Sequence, residues 1–375
     1  MFLTLNFFSY KYKFILFFGV NMTNLSELER INTVREIIRD IINNKGRDYL
    51  YDLTGLSGEF NISEEDNLLI DTYVGPAIFS EKLNNVGVEY FKGNRDIHKA
   101  VGFNRTSSAI FSTICALSNT IDKVVHFVPK LPSHPSIPKS CNIFNIEYFE
   151  SDNLKNILEN IDNKTLTIVT GATMDHTIVN LEDLKTIVEY CNKSNSIIFI
   201  DDASGARLRI LKGQPTALEL NCDLVVTSTD KLMTGPRAGL LCGKKNIVDK
   251  IYLEGLKYGL EAQTPILCSM SNAIANFKID NLKKALERAK NINLSKLNDV
   301  GLTYEKTPTG FIITNLSNEE YIKLGLKLLK NYGIITITVG GAPGASKTIR
   351  IDFCSKDANK VSDKYIINSI IKSVN

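Results

Sequence analysis

LVVTSTDKLMTGP, residues 224–236, is the stretch of the sequence that most directly indicates the fold class. It opens with a short apolar run, Leu224 to Val226, that predicts a buried strand, and it ends in Gly235-Pro236, which interrupts regular structure. Similar runs occur at Lys123 to Val128, Phe144 to Phe149, Leu166 to Val169, Ile197 to Ile200 and Gly239 to Cys242. Helical patterns lie between them, at Ala109 to Leu117 and, after a capping Asn180, at Leu181 to Cys191. Such alternation indicates parallel strands buried on both faces, so we predict an α/β fold with a wound, mostly parallel sheet.

The pattern changes on both sides of this region. We predict an N-terminal helix in residues 22–50, a large domain in 51–245, linking helices in 246–292 and a small α+β domain in 293–375. The small domain should contain strands at Phe311 to Thr314, Ile334 to Val339 and Thr348 to Phe353, with helices at Glu319 to Leu329 and Ala358 to Val374. Prolines at every third position from Pro129 to Pro138 favour an extended, polyproline-like path.

Composition excludes several classes of protein. The 375 residues carry a formal net charge of only +3, without the basic run expected of a DNA-binding protein. Seven cysteines lie scattered without a C-x-x-C pair, which argues against a zinc site or a disulfide framework and favours the cytoplasm. Residues 1–21 are hydrophobic but contain Lys11 and Lys13, so a membrane span is not expected. They could be a mis-called start before Met22, an interfacial segment or a packed extension.

The residues around Lys231 suggest a specific chemistry. Pyridoxal 5'-phosphate (PLP) needs a lysine amine for its aldehyde, a carboxylate for its pyridine nitrogen and a helix N-terminus with hydroxyls for its phosphate. Lys231 follows a predicted strand end and precedes a loop, where an amine is accessible. Ser228, three residues earlier, could contact the same phosphate. Taken alone, Asp230-Lys231 is more simply explained as a solvated pair in a turn.

The other PLP ligands can be proposed in the same way. Asp201 ends an apolar strand and is the candidate for the pyridine nitrogen, with Asp202 as an adjacent rival that alternation points to the other side. Thr106 and Ser107 begin an apolar helix and are candidates for the phosphate, although they could be a simple helix cap. His134 could lie over the ring face, or could be an ordinary loop histidine.

At these residues the sequence resembles the fold-type-I PLP enzymes. Within that class it is most similar to bacterial L-seryl-tRNA(Sec) selenium transferase and a set of archaeal relatives. The segment from Ser228 to Gly239 resembles the transferase's lysine segment, and Asp201 with Ser204-Gly205 resembles its aspartate turn. Asn104 with Thr106 to Ala109 resembles its phosphate helix. The resemblance covers about residues 50 to 375 and implies an aminotransferase-like large domain with PLP as a Schiff base on Lys231.

The resemblance carries further expectations. Ser133-His134-Pro135-Ser136 is similar to a segment that stacks on PLP, Thr264 to a threonine that contacts the partner subunit's phosphate, and Arg350 to an arginine that binds the substrate carboxylate. It implies Cα-carbanion chemistry on an amino acid or aminoacyl substrate, in a homodimer or a multiple of dimers. We expect β-elimination or β-replacement, although transamination and decarboxylation use the same intermediate and the sequence does not choose among them. Two departures, Asp202-Ala203 and the lack of the transferase's extra N-terminal domain, argue against a tRNA partner.

Three rival functions are weaker. The first rival is nucleotide hydrolysis, because residues 341–348, GAPGASKT, nearly match a phosphate-binding P-loop. However, Ser346 replaces the second glycine and a strand is predicted to follow, whereas a P-loop opens a helix. A catalytically silent member of the fold could bind tRNA or a metabolite, although loss of activity should first remove Lys231 or Asp201. No His, Cys and carboxylate spacing matches a metal site.

Overall fold

The computed structural model describes residues 26–340 and 348–374. A seven-stranded sheet forms the centre of the large domain, in the order β2-β8-β7-β6-β5-β3-β4. Its strands are β2 (His98–Phe103), β3 (Lys123–Phe127), β4 (Glu147–Ser151), β5 (Thr165–Thr170), β6 (Ile197–Asp201), β7 (Leu224–Ser228) and β8 (Gly239–Lys244). β8 runs antiparallel to β2 and β7, and the other neighbouring strands pair in parallel. The predicted α/β fold with a mostly parallel sheet is therefore confirmed.

Helices cover both faces of this sheet and bury its apolar side chains. They are α3 (Val74–Tyr90), α4 (Thr106–Leu117), α5 (Ser136–Ile143), α6 (Leu154–Leu158), α7 (Leu181–Ser194), α8 (Gly205–Leu211), α9 (Lys245–Lys257) and α10 (Thr264–Ala275). Side chains of α3, α7 and α10 form one core with alternate residues of the strands, and those of α4, α5 and α9 form a second core on the opposite face. Because the sheet is covered on both faces, the strands β6, β7 and β8 are mostly apolar.

The small domain pairs an antiparallel sheet with helices. β9 (Tyr304–Thr307), β10 (Gly310–Ile313) and β12 (Ile349–Asp352) form the sheet in the order β12-β10-β9, beside α11 (Ile279–Asn291), α12 (Asn318–Tyr332) and α14 (Asp363–Val374). The N-terminal helix α1 (Glu27–Lys45) begins with a Ser26–Glu29 capping box and packs against α12. The short strands β1 (Tyr51–Asp52) and β11 (Ile334–Ile335) then pair in parallel.

Three local predictions were wrong. The predicted strand from Ile334 to Val339 stops at Ile335, and Ile337–Gly340 form a short helix, α13. Arg30 of α1 donates hydrogen bonds to the Thr338 and Val339 carbonyls, so a tertiary contact outweighs the strand preference of β-branched residues. The predicted last helix is split, since Ala358–Lys360 form a separate 3₁₀ turn before α14.

The proline-spaced segment is the third error. Residues 136–143 form α5 instead of continuing an extended path. Pro138 lies in the first turn of this helix, where a backbone N–H has no partner within the helix, so proline is tolerated there.

The short remaining helix of the N-terminal region, α2 (Glu64–Asn67), follows a Ser63 cap. The hydrophobic residues 1–21 and most of the P-loop-like segment lie outside the described residues.

Candidate active site

A cavity lies at the carboxyl ends of the parallel strands, where ligands bind in open α/β sheets. It encloses about 1250 Å³ of empty space, part of it open to solvent, which is enough for a cofactor and a small substrate. Seven of the eight residues predicted from the sequence line it: Thr106, Ser107, His134, Asp201, Ser228, Lys231 and Arg350. The eighth, Thr264, is not among the lining residues. The roles assigned to these side chains remain predictions.

Lys231 is held by the N-terminal part of the large domain. Its backbone forms an antiparallel bridge with Leu56, the Leu232 amide donates to the Gly55 carbonyl, and the Ser57 amide donates to the Asp230 carbonyl. Burial lowers the pKa of the Lys231 amine, although Asp230 and Asp201 act in the opposite direction. A lower pKa increases the unprotonated fraction of the amine, which is the form that attacks a carbonyl.

The two aspartates at the end of β6 point in different directions, as alternation predicts. Asp201 lines the cavity, and loss of solvation raises the pKa of its carboxyl. Asp202 is only 1% exposed and forms an ion pair with the buried Arg209. Asp201 is therefore the carboxylate available to a ligand, while Asp202 has a structural role.

The N-terminus of α4 forms a basic corner of the cavity. Thr106 and Ser107 begin the helix, and the side chains of Arg105 and Arg237 join them there. Burial and the nearby Arg237 lower the pKa of Arg105. Four exposed or partly buried donors at a helix N-terminus suit a dianionic phosphate.

Two neighbouring features complete this corner. Ser228 donates a hydrogen bond to Asp230, and Arg237 Nε lies 3.2 Å from the Asp230 carboxylate. Gly239 at the start of β8 allows the backbone of α4 to approach, because a Cβ there would lie 2.7 Å from the Thr106 amide nitrogen. Sequence analysis missed Arg105 and Arg237, although each is adjacent to a motif residue that it had identified.

The opposite side of the cavity consists of loops and the small domain. His134 accepts or donates a hydrogen bond with Ser136 at 2.9 Å, and burial lowers the pKa of its ring. Arg350 of β12 is 4% exposed and donates to the Thr54 and Met174 carbonyls. Its Nε has no hydrogen-bond partner within residues 26–340 and 348–374.

His176 is a further residue that sequence analysis missed. It lines the cavity from the loop after β5, and its Nδ1 lies 3.3 Å from Thr309 Oγ1 and 3.6 Å from the Asp352 carboxylate of the small domain. Burial lowers the pKa of the ring well below its usual value. No motif marks this histidine in the sequence, since it faces the cavity only after the two domains meet.

Thr264 is separate from the other predicted residues. It begins α10, is 4% exposed, and its hydroxyl lies 3.5 Å from the Asp71 carbonyl. Near it, exposed apolar side chains lie on residues 60–78: Phe60, Leu68, Leu69, Tyr73, Val74 and Ile78. Within this subunit, therefore, Thr264 does not contribute to the cavity.

The chemistry of the side chains fits PLP. One cavity brings together an amine of lowered pKa, a strand-end carboxylate and a basic helix N-terminus, which are the three groups the cofactor requires. Among the described residues no group of three or more His, Cys, Asp or Glu side chains could hold a metal ion. No helix in that part of the chain is both long and apolar enough to cross a membrane.

Solved structures with this fold include the following two. L-threonine transaldolase from Pseudomonas fluorescens superimposes with a TM-score of 0.66 at 14% identity, covering 92% of this chain and 88% of the transaldolase. The SepCysS chain of its complex with the SepCysE N-terminal domain gives a TM-score of 0.63 at 15% identity, covering 90% and 98%. The fold and the cavity together define a fold-type-I PLP-dependent enzyme.

Sequence comparisons then give the family. The model of L-seryl-tRNA selenium transferase matches residues 169–301, and that of the UPF0425 C-terminal domain matches residues 300–362. The UPF0425 pyridoxal phosphate-dependent protein of Methanococcus maripaludis is 60% identical over 353 residues, which cover 94% of this chain and 100% of the relative. Its counterpart in Methanothermobacter thermautotrophicus is 39% identical over 363 residues, covering 93% and 94%. The chain belongs to the UPF0425 family of PLP-dependent proteins, so the predicted cofactor and the predicted resemblance are both confirmed.

Proposed function

We propose that this enzyme binds PLP covalently at Lys231 and acts at the Cα atom of an amino acid or aminoacyl substrate, with β-elimination or β-replacement as its reaction. The observation that carries the proposal is the meeting of Lys231 with Asp201 beside the basic corner at α4. When bound, PLP supplies an electron sink that stabilises negative charge at the Cα of an amine substrate.

Each side chain then has a defined task. The Lys231 amine holds the cofactor and, when a substrate amine displaces it, takes the proton from Cα, because its lowered pKa favours the basic form. Asp201 would accept a hydrogen bond from the protonated pyridine nitrogen. Thr106, Ser107 and Ser228 bind the phosphate together with the two arginines of the basic corner.

Arg350 and His134 act on the loop side of the cavity. We propose that Arg350 binds the carboxylate of a free amino acid through the part of its guanidinium that the two backbone carbonyls leave available. His134, which lines the same cavity, would pack over the cofactor ring. An aminoacyl ester has no free carboxylate, so it would bind without this contribution from Arg350.

We also propose a homodimer, or a multiple of dimers, located in the cytoplasm. The apolar surface formed by residues 60–78 adjoins Thr264, since a Cβ at Gly75 would lie 1.9 Å from Thr264 Cγ2, and a second copy of the chain is the occupant proposed for it. In that arrangement Thr264 would contact the phosphate in the partner's cavity. Light scattering of the holoenzyme measures the subunit number.

All seven cysteines are free, which supports a reducing compartment.

The first experiment tests covalent binding at Lys231. Sodium borohydride reduces an imine between PLP and lysine to a stable amine, so peptide mass spectrometry identifies the modified residue. We expect the modification on Lys231, and we expect the Lys231→Ala protein to lose both the modification and the visible absorption band. Lys278→Ala is the matched control, because Lys278 lies outside this cavity. Modification elsewhere, or a Lys231→Ala protein that keeps the band, would contradict the proposal.

A further inference from the structure

A chain of hydrogen bonds runs away from the cavity behind Asp201. Thr170 lines the cavity at the end of β5, and its hydroxyl lies 2.8 Å from His126 Nε2. His126 Nδ1 lies 2.9 Å from the Tyr148 hydroxyl, which donates to Glu150 at 2.6 Å. A branch from Tyr148 returns to the cavity, because its hydroxyl also lies 3.1 Å from the hydroxyl of the cavity residue Ser133.

The sheet explains why these side chains meet. β4, β3 and β5 are adjacent parallel strands, and His126 on β3 pairs in register with Glu150 and Ile168. Thr170 pairs in register with Asp201 on β6, so these two side chains stand side by side on one face of the sheet. His126 is 0% exposed. The hydrogen-bond network is therefore built on the sheet. It ends at the cavity wall that contains Asp201, the proposed partner of the pyridine nitrogen.

Counting the available protons assigns a donor and an acceptor to each hydrogen bond in the network. The Tyr148 hydroxyl donates its proton to the Glu150 carboxyl group. Tyr148 has no second proton, and His126 must therefore donate from Nδ1. Burial lowers the pKa of His126 to about 3, so the ring is neutral at pH 7 and has one N–H. Its Nε2 must then accept, and Thr170 donates to it.

The branch follows the same count. The Tyr148 oxygen accepts from His126 and, with its second lone pair, from Ser133. Thr170 and Ser133 thus both direct their protons away from the cavity. Their oxygens face it with lone pairs alone, beside the acceptor Asp201.

We propose that Glu150, acting through the positioning residues Tyr148 and His126, fixes Thr170 as a hydrogen-bond acceptor at the Asp201 wall. This wall then binds a ligand group that donates a hydrogen bond and disfavours an anionic one. The inference deepens the proposed function, because a protonated pyridine nitrogen suits this wall and the phosphate suits the basic corner. Thr170 and Asp201 together would thus set the orientation of the cofactor.

The direction of the hydrogen bonds in this network can be measured without the cofactor. The protein has four histidines, so ¹⁵N-histidine labelling gives four sets of ring resonances. His→Gln variants of His98, His134 and His176 identify the remaining set, and the buried His126 need not be replaced. We expect His126 in the apo protein to be neutral with its proton on Nδ1, the tautomer that free imidazole side chains favour less.

Tyr148→Phe tests the coupling. It removes the oxygen that accepts from Nδ1, so the proton should move to Nε2 and the Thr170 hydroxyl should become free to donate into the cavity. Tyr321→Phe is the matched control, because it also removes a buried tyrosine hydrogen bond, to the Ile313 carbonyl, in the small domain. A wild-type proton on Nε2, or a tautomer unchanged by Tyr148→Phe, would overturn the proposal.

A second arm tests the consequence for the cofactor. We expect Thr170→Val to raise the Kd for PLP about tenfold, the loss of one hydrogen bond. Thr167→Val, on the same strand, loses the hydrogen bond to Ser196 away from the cavity and should leave this Kd unchanged. Equal Kd values for the two variants would overturn the role of Thr170 while the Lys231 assignment stood. If no cofactor bound Lys231, the proposed function would fail, but the tautomer measurement would still decide the direction of the chain.

Discussion

The two sides of the cavity are built in different ways. The strand-end wall, Thr170, Asp201 and Ser228, comes from the ends of the adjacent strands β5, β6 and β7. The loop wall, His134, His176 and Arg350, comes from two loops of the large domain and a strand of the small domain. Sheet register fixes the first set, whereas the second depends on how the domains pack.

This difference indicates which tasks each wall can perform. A side chain at a strand end is held by backbone hydrogen bonds on both sides, which suits a group that must keep a fixed orientation toward a cofactor ring. The loop wall is held by a few side-chain contacts, such as Arg350 with the Thr54 and Met174 carbonyls. Such contacts can rearrange when a substrate enters, so the loop wall suits substrate selection.

The largest expected effect separates the two aspartates at the end of β6. Asp202→Asn removes the negative charge opposite Arg209, leaving a buried and unpaired cation, and should lower the free energy of unfolding by about 3 kcal/mol. Asp201→Asn should change it by less than about 1 kcal/mol, because burial already raises the pKa of that carboxyl and disfavours its charge. Urea unfolding of the apo proteins measures both values. Equal losses would show that the two carboxyls share one structural role.

The next prediction concerns a histidine behind the strand-end wall. His126 has a pKa of about 3 in the folded protein, against about 6.5 when unfolded, so the unfolded state binds more protons below pH 6.5. Stability that is present above pH 6.5 is therefore lost as the pH falls toward 3. Between pH 7 and pH 5 this histidine should account for about 2 kcal/mol of the loss.

Its comparison variant comes from the loop wall. Over this pH range the free energy of unfolding of His126→Gln should fall by about 2 kcal/mol less than that of the wild type. Urea unfolding at each pH measures both values. His134→Gln should differ from the wild type by less, because the exposed His134 side chain keeps contact with solvent, which offsets part of the burial that lowers the pKa of its ring. A similar change in both variants would mean that burial in the sheet does not control the titration of His126.

The same difference explains what could be predicted from the sequence. Lys231 and Asp201 follow apolar strand runs, so the pattern indicates both their location and their shared edge of the sheet. Thr170 also ends such a run, but a threonine carries no signal that separates a cavity residue from a core residue. His176 and the hydrogen bonds of Arg350 depend on contacts across 133 to 296 positions of sequence, which periodicity does not report.

The smallest expected effect lies in the loop wall, at Arg350. Two of its donors are already bound to backbone carbonyls, so only part of the guanidinium is available to a substrate carboxylate. Arg350→Gln should therefore lower kcat/KM for a free amino acid about tenfold, equivalent to about 1.4 kcal/mol, mainly through KM. The same substitution should leave kcat/KM for the corresponding amino acid ester unchanged, because the ester has no carboxylate to lose. Equal losses for acid and ester would instead assign Arg350 to holding the small domain against Met174 and Thr54. The loop wall would then not select substrates through this arginine.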